Sequence, residues 1–169
     1  MEKIMAARST LALVAATLAF AGPAAAKTID SWEVNSTGKS CTMFSTFADD
    51  VTIGLIWTPK NGELGFIATL PHTKGWKAQA VTTLDLSFDG KGPLTQWEDQ
   101  HASVVAGSDS DAVIGSWGAA HSEDLARAVN ASSHVTLRVG GRAIGTYDLT
   151  GSPAAYNALT RCGGGIATK

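Results

Sequence analysis

Two cysteines constrain the fold of this chain more than any other feature of its sequence. Cys41 and Cys162 are its only cysteines, and they lie near the two ends of the segment that we expect to fold. A bond between them would close a loop of about 120 residues, which in the chain-entropy model stabilises a domain by about 4 to 5 kcal/mol. Two buried free thiols or a redox-active pair are the alternatives, but no C-x-x-C spacing occurs and only Arg161 supplies a nearby cation. We predict a structural disulfide, which requires an oxidising compartment.

The amino terminus has the pattern of a secretory signal peptide. Lys3 and Arg8 precede an apolar run over residues 11–21, and a stretch of small residues ends at Ala26, where we expect cleavage. The apolar run has about half of the roughly 20 residues that a membrane-spanning helix needs. We therefore predict a periplasmic or secreted protein with no transmembrane segment after cleavage. The predicted organisation is a signal peptide at 1–26, one domain at 27–162 and a flexible tail at 163–169.

Composition narrows the class of protein further. The 169 residues are 44% hydrophobic and 17% charged, which is typical of one globular domain. Thirteen basic and fifteen acidic residues give a net charge of -2, so the chain has no basic surplus with which to neutralise phosphates. We predict a monomer that does not bind nucleic acid.

Short segments rich in β-branched and aromatic residues predict a mainly β domain. The turn formers Asp49-Asp50 and Pro59-Lys60-Asn61-Gly62 separate successive segments and favour an antiparallel meander. The clearest alternation of apolar and polar residues lies before Phe88. The predicted strands are 31–35, 42–47, 51–58, 63–70 and 81–88, with weaker ones at 94–97, 102–106 and 112–116.

The last third of the chain predicts two short helices around a hairpin. Ser122 has the residue type of a helix cap and precedes an apolar stripe. Strands at 134–139 and 143–149 flank the turn Gly140-Gly141. Ser152 as a cap, with Pro153 at the first helical position, then predicts a second helix that ends at Gly163. The predicted fold is an antiparallel β-sandwich, immunoglobulin-like in broad architecture, with two short helices.

The closing segment resembles that of a known family. A strand and an Ala-rich helix that end at Cys162, together with the early Trp32 and Cys41, resemble exported proteins of Gram-negative bacteria similar to the invasion-associated locus B family. The residues that match its outline are Asp148, Leu149, Gly151, Ala154, Ala155 and Leu159. The second cysteine pair usual in that family is missing here, and Pro71-His72 is a partial echo of its Pro-Leu-Gly segment. The resemblance implies a periplasmic β-sandwich-like domain and a role in host association.

No motif in the sequence indicates catalysis. A serine hydrolase elbow, G-x-S-x-G, is absent, and neither H-E-x-x-H nor a phosphate-binding glycine loop occurs. The segment 107–111 and Asp99 have residue types found around calcium but not the spacing of an EF-hand. The histidines are scattered through the chain at His72, His101, His121 and His134. We predict no catalytic, metal-binding or cofactor-binding residues.

Five tryptophans are the one compositional excess that suggests a binding surface. Trp32 and Trp57 lie in predicted strands and are expected in the core, whereas Trp76 and Trp97 lie in loop-like segments. If the latter two were exposed on one face, they would offer an apolar platform for a ligand or a partner.

Three functions follow from these observations. The first is a non-catalytic envelope-associated protein that binds an unknown envelope partner or small ligand. The second is a small-ligand or carbohydrate-binding module that uses Trp76 and Trp97. The third is a small secreted hydrolase, which requires a nucleophile, a histidine and a carboxylate within hydrogen-bond reach of one another.

Overall fold

A computed structural model describes residues 27–37, 39–71, 81–91, 101–106, 110–116 and 118–162. Within these ranges the chain forms ten strands and two helices. They are β1 (Lys27–Ile29), β2 (Trp32–Ser36), β3 (Cys41–Thr46), β4 (Thr52–Thr58), β5 (Glu63–Pro71), β6 (Leu84–Phe88), β7 (His101–Ala106), β8 (Ser110–Ser116), α1 (Gly118–Ala131), β9 (His134–Val139), β10 (Arg142–Asp148) and α2 (Ser152–Arg161).

The strands form two antiparallel sheets. The larger sheet has the order β1-β2-β3-β4-β5-β8-β7, and the smaller one has the order β10-β9-β6. Strands β2 to β5 form the predicted meander, and the turn at residues 59–62 joins β4 to β5 as expected. Strand β1, which the sequence did not predict, pairs with β2. The prediction of a mainly β, antiparallel domain with two helices in its C-terminal part is confirmed, and its two-sheet arrangement is sandwich-like.

One face of each sheet supplies the core. In β4 and β5, Leu55 lies opposite Phe66 and Trp57 lies opposite Leu64, and all four are buried. Because side chains alternate across a strand, this register places the large apolar residues of neighbouring strands on the same face. The smaller sheet follows the same rule, with alternate residues of β6 and β9 buried.

Hydrogen bonds and a contact between aromatic rings join the two sheets. The segment before β6 meets β7, where the Thr82 backbone N–H donates to the Ala102 carbonyl at 3.1 Å. On β10, the Tyr147 ring lies 4.8 Å from that of Phe47, and its hydroxyl donates to Asp49 Oδ2 at 3.0 Å. Buried apolar residues of both sheets and both helices form one core.

Both predicted helix caps are wrong. The first helix begins at Gly118, and the Ser122 hydroxyl donates within it to the Gly118 carbonyl at 3.1 Å while accepting the Leu64 N–H at 2.9 Å. The second helix is capped by Gly151, and the Ser152 hydroxyl donates to the Val129 carbonyl at 3.1 Å. Each serine hydroxyl forms a hydrogen bond with a buried backbone group of another element, Leu64 of β5 or Val129 of α1. A local capping pattern does not reveal such a bond.

Several strand boundaries differ from the predicted ones. The strand predicted from Val81 begins at Leu84, because Val81 is 89% exposed and forms only an isolated bridge to β7. The weaker strands at 102–106 and 112–116 are confirmed as β7 and β8. The predicted signal peptide, the tail at 163–169 and the strand at 94–97 lie outside the described residues. No helix within the described ranges has the length and apolar content needed to cross a bilayer.

Candidate ligand-binding cleft

The second helix is tied to the larger sheet at both of its ends. Before α2 begins, the Thr150 carbonyl accepts a hydrogen bond from Trp32 Nε1 at 3.0 Å. Where α2 ends, Cys162 forms a disulfide with Cys41 of β3, and their Cα atoms lie 6.1 Å apart. The predicted disulfide is therefore confirmed, and it fixes the end of α2 beside β3.

Gly151 allows the first of these ties to form. It adopts φ 84°, and a Cβ at this position would lie 2.5 Å from the Cβ of Asp30 and 3.0 Å from the Asp30 carbonyl. Only glycine combines this left-handed conformation with so close an approach to the turn between β1 and β2. The start of α2 consequently lies directly against the larger sheet.

A cleft of about 530 Å³ lies between α1 and α2. Its floor includes Trp57, which lies directly opposite Cys41 in the register of β3 and β4. The disulfide therefore joins the end of α2 to Cys41, the cross-strand neighbour of Trp57. The residues that line the cleft are Trp57, Gly62, Ala119, Ser122, Glu123, Ala126, Arg127, Asn130, Tyr156, Asn157 and Thr160.

Trp57, one of the residues that line the cleft, carries a hydrogen-bond donor without an acceptor among the described residues. Trp57 is 4% exposed, and its Nε1 is buried with no partner in the part of the chain that the structure describes. Trp32 is buried to a similar extent, yet its indole N–H has an acceptor. Since buried polar groups in folded proteins are almost always paired, the Trp57 N–H requires an explanation.

The walls of the cleft contribute neutral polar groups that retain hydrogen-bonding capacity. Asn130 Nδ2 donates to the Ala126 carbonyl at 2.7 Å, which orients the side chain and leaves its Oδ1 as an acceptor. Across the cleft, Tyr156 is half-buried and Asn157 is exposed. Burial, and after it the negative charge of Glu123, raises the pKa of Tyr156 above its usual value, so its hydroxyl stays protonated at neutral pH.

The charged residues at the cleft differ in their pairing. Arg127 Nη1 lies 3.0 Å from Asp124 Oδ1, one turn away on α1, so its charge is compensated. Glu123, in contrast, makes no ion pair within the described ranges. The cleft therefore has one uncompensated negative charge on its α1 wall.

Two described histidines stand beside carboxylates, but on different elements. His121 Nδ1 on α1 lies 3.9 Å from Asp124 Oδ2, and His134 Nδ1 at the start of β9 lies 3.8 Å from Asp89 Oδ1. The hydroxyl of Ser122 donates to a backbone carbonyl. Among the described residues, no group of three or more His, Cys, Asp or Glu side chains has an arrangement suited to a metal ion.

Only part of the predicted site can be compared with the structure. Trp76 and Trp97, proposed as a ligand platform, lie outside the described residues, and so does His72. Trp57 is in the core as predicted, but it also forms the floor of the cleft. Sequence reasoning missed this second position; the signal was its place two residues before the turn that ends at Gly62, another lining residue.

Comparison of the chain with protein-family models, with curated proteins and with solved structures gives no match.

Proposed function

We propose that this chain is a non-catalytic, extracytoplasmic binding protein that takes a small polar ligand in the cleft between α1 and α2. The unpaired indole N–H of Trp57 carries this proposal, because a ligand that supplies an acceptor would satisfy it. A buried donor without a partner costs about 1 to 3 kcal/mol, and this loss is recovered when an acceptor arrives.

The size and chemistry of the cleft support the proposal. Ligand sites typically enclose about 300 to 1,000 Å³ and combine aromatic surface with a few polar groups. The cleft has a volume of about 530 Å³, with Trp57 and Tyr156 as aromatic residues and Asn130 and Asn157 as polar ones. Because Trp57 Nε1 has almost no accessible surface, an acceptor reaches it only after a small displacement of the cleft walls. We expect that displacement to accompany binding.

The proposed compartment rests on the disulfide. Stable disulfides belong mainly to oxidising compartments, and the bond between Cys41 and Cys162 is the expected product of export to the periplasm or the medium. The role in host association that the family resemblance implies, and the secreted hydrolase, remain predictions without supporting contacts in the cleft.

A ligand screen against a blocked cleft tests the proposal. Saturation-transfer NMR would survey neutral sugars, amino acids, carboxylates, phosphates and amines against the mature protein and against Asn157→Trp, which places an indole in the cleft from an exposed position. Ala154→Trp is the matched control, because Ala154 is exposed on the same helix but does not line the cleft.

We expect at least one class of ligand to bind the wild type and Ala154→Trp equally and to bind Asn157→Trp at least tenfold more weakly. A ligand that binds all three proteins equally would place its site elsewhere. No binding by any class would contradict the proposed function.

A further inference from the structure

The charge balance of the cleft points to the charge of its ligand. Two ionisable side chains of opposite sign line it, Glu123 and Arg127. Arg127 is paired with Asp124 at 3.0 Å, so an anion would have to compete with the Asp124 carboxylate for its guanidinium. Glu123 makes no ion pair with any described residue and is exposed. A cationic group would therefore gain a counter-ion in the cleft, whereas an anionic group would meet a carboxylate.

The aromatic wall favours the same charge. The faces of aromatic rings carry partial negative charge and attract ammonium groups. Tyr156 is half-buried on the α2 wall and lies near enough to Glu123 for the carboxylate to raise the pKa of its hydroxyl. A ring and a carboxylate thus act together on one region of the cleft.

The remaining polar groups suit hydroxyls. The Trp57 N–H needs an acceptor, and Asn130 Oδ1 can accept a hydrogen bond because the Asn130 amide nitrogen, already bonded to the Ala126 carbonyl, fixes the orientation of the side chain. A hydroxyl group can accept one hydrogen bond and donate another, so neighbouring hydroxyls serve both residues.

We propose that the cleft selects ligands that carry a protonated amine beside hydroxyl groups, with the amine at Glu123 and a hydroxyl oxygen accepting the Trp57 N–H. Amino sugars and amino alcohols are the compounds of this class. The assignment rests on the proposed function and names the ligand class of the same cleft.

Three probes that share one pyranose ring test the assignment. Glucosamine, glucose and glucuronate differ chiefly in charge, and each would be titrated into the mature protein by calorimetry at low ionic strength and at a pH where the amine is protonated. An exposed ion pair strengthens binding by about two- to fivefold, so glucosamine is expected to bind about two- to fivefold more tightly than glucose. Glucuronate is expected to bind most weakly of the three.

Glu123→Gln removes the negative charge and nearly preserves the shape of the side chain. This variant should bind glucosamine no more tightly than glucose, and its affinity for glucose should stay within about twofold of the wild type. Raising the salt to about 0.5 M should have the same two effects in the wild type. Glu33→Gln removes the same charge from an exposed position of β2 outside the cleft and should preserve the advantage of glucosamine over glucose.

The outcomes separate this assignment from the proposed function. Equal or tighter binding of glucuronate, or an advantage of glucosamine that survives Glu123→Gln, would overturn the assignment. If none of the three probes binds but the broader screen finds a ligand that Asn157→Trp excludes, the assignment fails and the proposed function stands. If the broader screen also fails, both fail.

Discussion

Two buried tryptophans, Trp32 and Trp57, differ in whether the indole nitrogen has a hydrogen-bond acceptor. Their exposed fractions are 2% and 4%, and both lie in strands of the larger sheet. Trp32 Nε1 donates to a carbonyl, whereas Trp57 Nε1 does not donate to any described residue. The pair therefore allows the hydrogen bond to be measured separately from the volume of the ring.

Replacement of each tryptophan by phenylalanine provides that measurement. Both substitutions remove a similar volume from the core, but only Trp32→Phe breaks a hydrogen bond, the one to Thr150. We expect Trp32→Phe to lower the free energy of unfolding by about 1 kcal/mol more than Trp57→Phe does. Urea denaturation in the absence of ligand measures the difference. An equal or larger loss in Trp57→Phe would mean that its N–H is paired in solution.

Tyr147 gives the protein a stability change at high pH. Burial, followed by the hydrogen bond and the negative charge of Asp49, raises the pKa of Tyr147 to about 12 from an ordinary value of 10.0. Between these two values the unfolded chain releases a proton that the folded chain keeps. The contribution of Tyr147 is therefore complete below pH 10 and is lost as the pH rises towards about 12.

Tyr147→Phe should be less stable than the wild type at neutral pH, because it lacks the bond to Asp49 at 3.0 Å. Its stability should fall less steeply between about pH 10 and 12, since the shifted group is absent. Unfolding curves across this range check both expectations. Parallel loss of stability in the two proteins would contradict the raised pKa.

Sequence patterns predicted the burial of Trp32 and Trp57 but not the difference between them. Burial follows from an apolar residue type in an alternating strand, which is a local property. Whether an indole N–H has an acceptor depends on Thr150, which is 118 positions from Trp32 along the chain. A single sequence carries no local signal of such a contact.

Among the elements, α2 depends most on long-range ties. One is the disulfide at its C-terminal end, which closes a loop over a sequence separation of 121 residues. Reduction should lower the free energy of unfolding by about 4 to 5 kcal/mol in the chain-entropy model, with a corresponding drop in the melting temperature. Because Tyr156, Asn157 and Thr160 line the cleft from α2, reduction should also weaken ligand binding.

Melting curves and ligand titrations with and without dithiothreitol test both effects of reduction. A double variant, Cys41→Ala with Cys162→Ala, is the control, because reductant has no bond to break in it. An identical melting temperature of the wild type in oxidised and reduced form would show that the disulfide does not constrain the domain.

The other tie of α2 is the close approach of Gly151 to Asp30. Gly151→Ala adds strain from a positive φ and an overlap with Asp30, whereas Gly141→Ala adds only the strain, since nothing lies within 4 Å of its Cβ position. We expect a loss of about 1 kcal/mol for Gly141→Ala and about 1 to 3 kcal/mol more for Gly151→Ala. Chemical denaturation compares the two. Similar losses would show that the start of α2 is not pressed against the sheet.

Local sequence signals predicted whether each segment is a strand or a helix better than they predicted the residues at which it begins and ends. The hairpin of β9 and β10 formed around Gly140-Gly141 as expected, because two glycines supply the positive φ values that a tight turn needs. The caps at Ser122 and Ser152 failed because both hydroxyls are used by distant or preceding backbone groups. Hydrogen bonds to backbone groups of other elements therefore take the place of the local capping bonds.

The described part of the molecule brings an early strand and the last helix together beside the cleft. The disulfide joins β3 to the end of α2, and β4 places Trp57 beside it. The two-sheet fold followed from alternation and turn residues, and the disulfide followed from the cysteine count. The cleft did not follow, because its lining residues come from elements far apart in sequence, and no local pattern shows that these elements meet.

On the proposed function, Trp57 gains a hydrogen-bond acceptor when a ligand enters the cleft. The most direct test is a ¹H–¹⁵N spectrum of the mature protein, in which five tryptophans give indole cross-peaks and Trp57→Phe identifies one of them. Glucosamine and the other screened compounds would be added in turn. We expect the Trp57 cross-peak to move downfield with each compound that Asn157→Trp excludes. A Trp57 cross-peak that stays in place at saturating ligand would contradict this expectation.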